Sequence, residues 1–189
     1  MPELFDVSEL LGDISNLLGR LIGETIDLNI EHGRDLGLIR VDRGQFDQVI
    51  INLAVNARDA MPGGGAVTIR TNSLTLEKQV SRAHEVIPAG EYVTVEVVDT
   101  GSGISPENID HIFEPFFSTK DVGAGTGLGL STVYGIVHQS DGFILVDSGL
   151  GAGTTFMVYL PRNEAGAGEA TQFDSDGEAI SREDQVRFS

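Results

Sequence analysis

Apolar positions recur with two different periods along the first 161 residues of the chain. Spacings of three and four predict helices over 7–22, over 43–61 and from about Leu128 to Ser140. Alternation of apolar and polar residues predicts strands over 24–31, 36–42, 66–77, 91–98, 143–148 and 154–161. The first two strands are separated by four residues, so we expect them to pair as a hairpin. Together the elements predict an α+β fold, a two-layer α/β sandwich with helices on one face of a mixed, mostly antiparallel sheet.

The periodic pattern ends near Arg162. Residues 163–189 hold seven acidic residues against two arginines and show little periodicity, which is typical of a disordered acidic linker or tail. We therefore divide the chain into a folded domain, 1–162, and a tail, 163–189.

Charge and composition narrow the class of ligand. The net charge of −17, from 12 basic and 29 acidic residues, argues against a nucleic-acid partner. No apolar run approaches the ~20 residues that cross a bilayer, and no signal peptide is recognisable. We therefore expect a cytoplasmic location without membrane contact by this fragment; a parent protein can be anchored elsewhere. The chain has two lysines, Lys78 and Lys120, so a phosphate ligand would be held mainly by backbone N–H groups and a metal ion.

The stretch from Asp99 to Ser131 has the residue pattern most typical of a ligand-binding site. Asp99 ends an alternating apolar run, and Gly101 and Gly103 follow at once. Glycines at 123, 125, 127 and 129 then lead into a helical pattern. Glycines let backbone N–H groups approach an anion, and a helix N-terminus adds its positive dipole end. The alternative is a glycine-rich surface loop without a ligand.

The helix predicted over 43–61 carries a polar face that includes Asn52, Asn56 and Asp59. Asparagine is a poor former of helix interiors, so two of them four residues apart suggest a function. A carboxamide oxygen is a suitable ligand for Mg²⁺, which relies on water and substrate phosphates for the rest of its shell. A solvated polar stripe is the alternative.

Asp99 would accept a hydrogen bond from an exocyclic amine such as that of adenine, since an ionised carboxylate only accepts. Its alternative is a turn-forming role before Thr100-Gly101. Phe113, Phe116 and Phe117 are apolar residues in a loop, and we expect most of them to anchor it. Lys120 is placed to reach a terminal phosphate, or is simply solvated.

These segments resemble, in order, the boxes of one family. Asn52 to Asp59 (NLAVNARD) resembles the N box, Asp99 to Gly103 (DTGSG) the G1 box and Phe113 to Phe117 (FEPFF) the F box. GAGTGLGL (123–130) and GAGTTF (151–156) resemble two further glycine boxes. The chain is thus similar, over roughly 5–161, to the catalytic ATP-binding domain of sensor histidine kinases, within the superfamily of gyrase, Hsp90, kinase and MutL.

The resemblance implies the Bergerat fold, with residues 101–130 as the ATP lid. It implies that Asn56 is the Mg²⁺ ligand, that Asp99 reads adenine and that Thr154 assists through a water. The residues that it implies contact the Mg²⁺-ATP cofactor are Asn52, Asn56, Asp59, Asp99, Gly101, Gly103, Ile104, Phe117, Lys120, Gly125, Thr126, Gly127, Leu128, Gly129, Leu130 and Thr154.

Asn52 favours a kinase over an ATPase. The ATPases of this superfamily carry Glu at the matching position, where it activates water, and a carboxamide is not a usable base. We expect Asn52, Asn56 and Lys120 to serve transfer of the γ-phosphoryl group, which depends on positioning and charge neutralisation. The alternatives are a superfamily ATPase and a degenerate or anti-sigma-like ATP-binding scaffold.

The phospho-acceptor motif of the family, His-Glu/Asp-x-x-Asn/Thr on a helix, is not found in the sequence. His84-Glu85 comes nearest, but Pro88 follows in a non-helical segment. The partner is therefore expected to be a histidine-bearing dimerisation domain. The amino-acid sequences of the boxes most resemble those of alphaproteobacterial cell-cycle hybrid kinases. In those kinases a receiver domain follows an acidic linker.

That similarity raises a regulatory hypothesis, a cyclic di-GMP site. Tyr134 and Phe143 would stack on guanine, with His138 and Ile144 beside them. Core packing of both aromatic residues is the alternative.

Overall fold

The computed structural model describes residues 1–82, 85–117 and 129–164. Its helices are α1 Val7–Ile22, α2 Arg43–Asp59, α3 Pro106–Ile109 and α4 Gly129–Gln139. Its strands are β1 Glu3–Phe5, β2 Ile26–Glu31, β3 Ile39–Val41, β4 Gly65–Leu76, β5 Val80–Arg82, β6 Glu85–Ile87, β7 Gly90–Asp99, β8 Phe143–Ser148 and β9 Thr154–Pro161. In the described ranges no helix is long and apolar enough to cross a membrane.

Side-chain caps start the two long helices. Asp6 accepts a hydrogen bond from the backbone N–H of Ser8 (2.8 Å) at the start of α1. Asp42 accepts from the N–H of Gln45 (3.0 Å) at the start of α2. Each cap satisfies a helical N–H group that has no partner within the helix, so α1 begins at Val7 and α2 at Arg43.

Five strands form the main sheet, in the order β2-β4-β7-β9-β8. The β2–β4 pair is parallel and the other three pairs are antiparallel, as the predicted mostly antiparallel sheet requires. The predicted hairpin between 24–31 and 36–42 is wrong. β2 instead pairs with β4 across α2, and β3 pairs with β1 in a separate two-stranded sheet. Alternation identifies a strand, but it does not encode the partner, and the three-residue β1 carried no signal.

The two faces of the main sheet are covered differently. The helical face holds the main core, in which α1, α2 and α4 pack on inward-facing residues such as Val95, Val97 and Phe156. The opposite face carries a smaller cluster of Tyr92, Leu145 and Tyr159, which is covered by Ile87 of the β5–β6 hairpin. The helical side of the sheet thus holds most of the buried apolar residues, and the opposite side holds the smaller cluster.

Folded contacts continue past Arg162, the predicted end of the domain. Asn163 exchanges two backbone hydrogen bonds of 2.7 Å with Leu38. The Arg162 guanidinium donates to the carbonyl oxygens of Leu36 (2.9 Å) and Asp35 (3.1 Å). Residues 163 and 164 are therefore described with the folded residues, whereas 165–189, the rest of the predicted tail, lie outside the described residues, so the predicted disorder stays a prediction.

Candidate functional site

Asp99, Thr154 and Ser148 form one row across three strands. Asp99 of β7 is the register partner of Thr154 of β9, which is in turn the partner of Ser148 of β8. Asp99 and Thr154 are each 4% exposed. Because Asp99 follows Val95 and Val97 at steps of two, the row points to the helical face of the sheet.

The Asp99 carboxyl is buried at the end of β7. One carboxylate oxygen accepts a hydrogen bond from the N–H of Gly101 (2.8 Å). Burial raises the pKa of Asp99, and the backbone N–H groups of Gly101 and Thr154 partly oppose that rise. A buried carboxylate with few donors keeps capacity to accept a hydrogen bond from a ligand.

Gly101 and Gly103 allow the chain that follows β7 to pack closely against the backbone of Ala60 and Gly149. A Cβ on Gly101 would lie 2.6 Å from the carbonyl oxygen of Ala60, just after α2, which also accepts from the N–H of Ser102 (3.1 Å). Gly103 has φ +79°, and a Cβ there would collide with the carbonyl oxygen of Gly149. Both glycines are thus required by packing, which brings the residues after Asp99 against the end of α2.

The polar face of α2 lies beside this exit. Asn52 and Asn56 are half-buried one turn apart, and the amide of Asn52 donates to the carbonyl oxygen of Gly129 (3.2 Å). Asp59 is the last residue of α2 and pairs with Arg58 (3.1 Å). The Arg58 guanidinium also donates to the carbonyl oxygen of Leu21 (3.0 Å), which fixes it toward α1.

The first part of the proposed lid is anchored by aromatic residues. The Phe113 ring lies 5.3 Å from that of Tyr134 and 6.3 Å from that of Phe156, and Phe117 packs against the same core. Phe116 is 75% exposed and has φ +66°. Anchoring is thus observed for two of the three phenylalanines, as expected for most of them.

Several predicted site residues cannot be placed. Lys120, Gly125, Thr126, Gly127 and Leu128 lie outside the described residues, so their predicted contacts with phosphate stay predictions. On either side of that gap, Ile104 donates its N–H to Ser148 Oγ (2.8 Å) and Leu130 packs against the core.

The residues of the cyclic di-GMP hypothesis meet at the edge strand β8. Tyr134 and His138 stack at 4.1 Å, and Phe143 meets His138 edge-on at 6.1 Å. The Ile144 side chain is 1% exposed, so it belongs to the core and not to a stacking surface. Glu85, which is 7% exposed, accepts from the N–H of Ile144 (2.9 Å) and contacts His138 Nε2 (3.1 Å).

Sequence reasoning missed two residues of these networks, Ser148 and Glu85. Ser148 ends a strand, where serine is common, and Glu85 lies in a segment without periodicity. Neither position carried a signal, because each accepts a hydrogen bond from a residue distant in sequence, Ile104 for Ser148 and Ile144 for Glu85.

The fold, with the buried Asp99 carboxyl at the end of the central strand β7, defines the class of protein. The chain belongs to the histidine kinase-, DNA gyrase B- and HSP90-like ATPase family, whose model matches residues 41–164. It is 53% identical over 161 residues to sensor kinase CckA of Brucella abortus, covering 85% of this chain and 17% of CckA. It is 35% identical over 138 residues to sensor histidine kinase ZraS of Escherichia coli, covering 73% of this chain and 26% of ZraS. The chain thus spans a minor part of these relatives.

Solved structures show the same fold. Full-length ShkA in complex with AMPPNP superimposes with a TM-score of 0.67 at 26% identity, over 85% of this chain and 31% of ShkA. The catalytic domain of histidine kinase ThkA gives 0.63 at 27% identity, over 86% of this chain and 96% of that domain. The mycobacterial sensor histidine kinase MprB superimposes with a TM-score of 0.66 at 23% identity, over 85% of this chain and 97% of that chain. At this identity the likeness is evidence for the fold alone. The predicted fold class and family are confirmed.

Proposed function

We propose that this domain binds Mg²⁺-ATP and donates the γ-phosphoryl group to a histidine on a separate dimerisation and phosphotransfer domain, as a protein-histidine kinase of a two-component phosphorelay. The observation that carries the proposal is the buried Asp99 carboxylate at the end of a central strand, with a glycine-lined exit beside it. The relatives named sensor kinases, and the AMPPNP complex of ShkA, support it.

In this proposal the base lies against the row of Asp99 and Thr154. The carboxylate accepts a hydrogen bond from the exocyclic amine of adenine, and its low exposure strengthens that contact by excluding water. Gly101 and Gly103 keep the backbone close without Cβ atoms in the way. Selection of adenine is therefore assigned to residues that the sheet holds rigidly.

Asn56 would hold Mg²⁺ through its side-chain oxygen. The described residues contain no group of three or more His, Cys, Asp or Glu side chains that could hold a metal ion by themselves. An amide oxygen with phosphate oxygens and water fits the preference of Mg²⁺ for shared, partly hydrated sites. The ion would neutralise charge on the phosphates, and Asn56 would orient it from the half-buried face of α2.

Asn52 supports transfer to a protein over hydrolysis. Its amide nitrogen donates to Gly129, so its oxygen is directed elsewhere and can only accept hydrogen bonds. With no carboxylate at this position to deprotonate water, ATP would persist until a histidine nucleophile arrives. Rapid ATP hydrolysis by the isolated domain would instead favour the alternative that this domain is an ATPase of the superfamily. ATP binding without phosphotransfer would favour the degenerate or anti-sigma-like scaffold.

Two measurements test the proposal, ATP affinity with and without Mg²⁺ and phosphorylation of an added histidine-bearing helical domain. We expect Asp99→Asn to lose the preference for adenine and Asn56→Asp to lose Mg²⁺-assisted binding. The matched controls are Asp147→Asn, on the exposed face at the same end of the sheet, and Asn16→Asp, exposed on α1. If wild type neither binds ATP nor phosphorylates the added domain, the proposal is wrong.

The organisation of a longer parent protein is part of the proposal. We assign the folded residues to the kinase catalytic domain and the acidic segment that follows to a linker. A receiver domain of the same or another chain would then accept the phosphoryl group from the histidine. A cytoplasmic location suits both ATP and such partners.

Regulation by cyclic di-GMP is the second proposal. Tyr134, His138 and Phe143 form a ladder of rings at the edge of the sheet, with Tyr134 and His138 both half-buried. Such rings can stack on guanine. Calorimetric titration of cyclic di-GMP should show binding to wild type and to Tyr134→Phe, and weaker binding to Tyr134→Ala. Equal affinity of the alanine variant contradicts this site.

A further inference from the structure

Glu85 of β6 is a buried carboxylate that ties three elements together. One of its oxygens accepts a hydrogen bond from the backbone N–H of Ile144 in β8 (2.9 Å), and the other lies 3.1 Å from His138 Nε2 in α4. Glu85 is 7% exposed. It thus joins the β5–β6 hairpin both to the end of α4 and to β8, the edge strand of the main sheet.

The number of ring protons decides which contacts His138 can make. Its other ring nitrogen, Nδ1, lies 3.2 Å from the backbone carbonyl oxygen of Tyr134, which only accepts. An ionised Glu85 also only accepts, so both ring nitrogens must then donate. A neutral ring has a single proton, which leaves a lone pair facing an acceptor at one of the two contacts. Both contacts therefore exist together only while the pair of Glu85 and His138 holds one proton more than a carboxylate and a neutral imidazole.

The described groups around the pair have constant charges near neutral pH. The titratable ones are Tyr134 on α4, Tyr92 on β7, Tyr159 on β9, Arg82 on β5 and Asp141 in the turn after α4. Burial raises the pKa of all three tyrosines, so their phenols stay neutral. Arg82 and Asp141 are exposed, and arginine and aspartate ordinarily titrate far from neutral pH. His84 lies outside the described residues.

We propose that Glu85 and His138 form a proton-dependent latch, which fastens the β5–β6 hairpin and the end of α4 fully only while the pair holds its extra proton. Imidazoles gain and lose their second proton between about pH 5 and 8, so the latch responds in that range. Because the folded contacts favour the extra proton, the latch contributes most to stability at acidic pH and loses part of this contribution as pH rises. The latch involves no nucleotide, so its test is independent of the proposed function.

The first test is the position of the ring proton, which the ring-nitrogen chemical shifts report in NMR. At a pH where the ring is neutral, we expect the Nε2–H tautomer of His138 in wild type, because a carboxylate is a stronger acceptor than a carbonyl oxygen. In Glu85→Gln, the amide oxygen can accept from Ile144 while the amide nitrogen donates to His138 Nε2. The neutral ring should therefore switch to the Nδ1–H tautomer, and both ring contacts are then made without an extra proton.

The second test is the pH dependence of urea unfolding, compared between wild type and Glu85→Gln. As pH rises from about 5 to 8, we expect the unfolding equilibrium constant of wild type to increase about two- to tenfold relative to that of Glu85→Gln, the range of one hydrogen bond. Glu114→Gln is the matched control, since it makes the same change in an exposed pair with His111 (2.8 Å). Its effect on the profile should be smaller, because exposed pairs contribute little.

Either measurement can overturn the latch. The same neutral tautomer in wild type and Glu85→Gln contradicts it, and so do parallel pH profiles of the two proteins. Should Glu85→Gln fail to fold, His138→Gln takes its place in the urea measurement, because its amide can donate to Glu85 and does not titrate. A profile of His138→Gln that runs parallel to wild type would then overturn the proposal.

Discussion

The side-chain amide of Asn52 donates a hydrogen bond of 3.2 Å to the backbone carbonyl oxygen of Gly129. The bond joins the middle of α2 to the first residue of α4. Because a carbonyl oxygen only accepts, the amide nitrogen must face Gly129, and the amide oxygen faces away from it. One side chain thus links the polar face of α2 to the helix that follows the proposed lid.

Asn52→Asp should weaken this link, because a carboxylate cannot donate to Gly129 and repels its carbonyl oxygen. We expect the free energy of unfolding to fall by about 0.5–1.5 kcal/mol, measured by urea denaturation. Asn16→Asp makes the same chemical change on an exposed surface of α1 and should stay within about 0.5 kcal/mol of wild type. Equal stability of the two variants would show that the Asn52 bond contributes nothing.

Adenosine binding should depend on pH through Asp99. Burial raises the pKa of this carboxyl above its ordinary value of 3.8, and the ionised form is the one that accepts from the amine. Affinity for adenosine, which has no phosphate to titrate, should therefore be full above the folded-state pKa and fall as pH drops through it. Asp99→Asn should lack this component, and an identical pH profile would count against Asp99 as the base-reading residue.

Stability should respond to the same ionisation with the opposite sign. The folded state holds the Asp99 proton more tightly than the unfolded state does, so this group contributes less stability as pH rises from 3.8 through the raised pKa. The difference in unfolding free energy between wild type and Asp99→Asn, followed by denaturation across that interval, should shift accordingly. A difference that is constant with pH would contradict the prediction.

Gly103→Ala should be costly for two reasons, the φ of +79° and the collision of a Cβ with Gly149. Gly151 has a similar φ of +76° but open space around it, so Gly151→Ala isolates the backbone strain of about 1 kcal/mol. Gly12→Ala, inside α1 with nothing within 4 Å, should stabilise by up to about 1 kcal/mol. Urea denaturation should rank Gly12→Ala above wild type, then Gly151→Ala, then Gly103→Ala; any other order refutes the packing argument.

Glu85→Ala should destabilise the domain by about 1–3 kcal/mol, because the N–H of Ile144 would lose its buried acceptor. Glu91→Ala is the matched control, since it removes an exposed carboxylate that pairs with Arg162 (3.2 Å) and should cost at most about 1 kcal/mol. Thermal or urea unfolding of both variants measures the contrast. Equal losses would mean that burial of Glu85 adds nothing.

Local structure was largely predictable from the sequence because each signal is local. Residues 143–148 and 154–161 were predicted as strands with the bounds that the structure has. The predicted helix over 7–22 also matches, since its apolar period and its cap lie in the same stretch of chain.

Pairing between distant segments was less predictable. The ends of β7 and β9 could each be located, but the register that sets Asp99 opposite Thr154 arises from the whole sheet. The same limit explains the wrong partner for β2. Ser148 accepts a hydrogen bond from Ile104, 44 positions away, and Glu85 accepts one from Ile144, 59 positions away; a single sequence holds no pattern for such contacts.

The course of β9 determines where the chain leaves the sheet. The strand begins beside Asp99 and ends at Pro161, where Arg162 and Asn163 secure the exit against the Asp35–Leu38 loop. Eight residues of strand span about 26 Å. Any module attached after residue 164 is thus joined at the end of β9 remote from Asp99, and its reach back to the Asp99 end of the sheet depends on the length of the connecting chain.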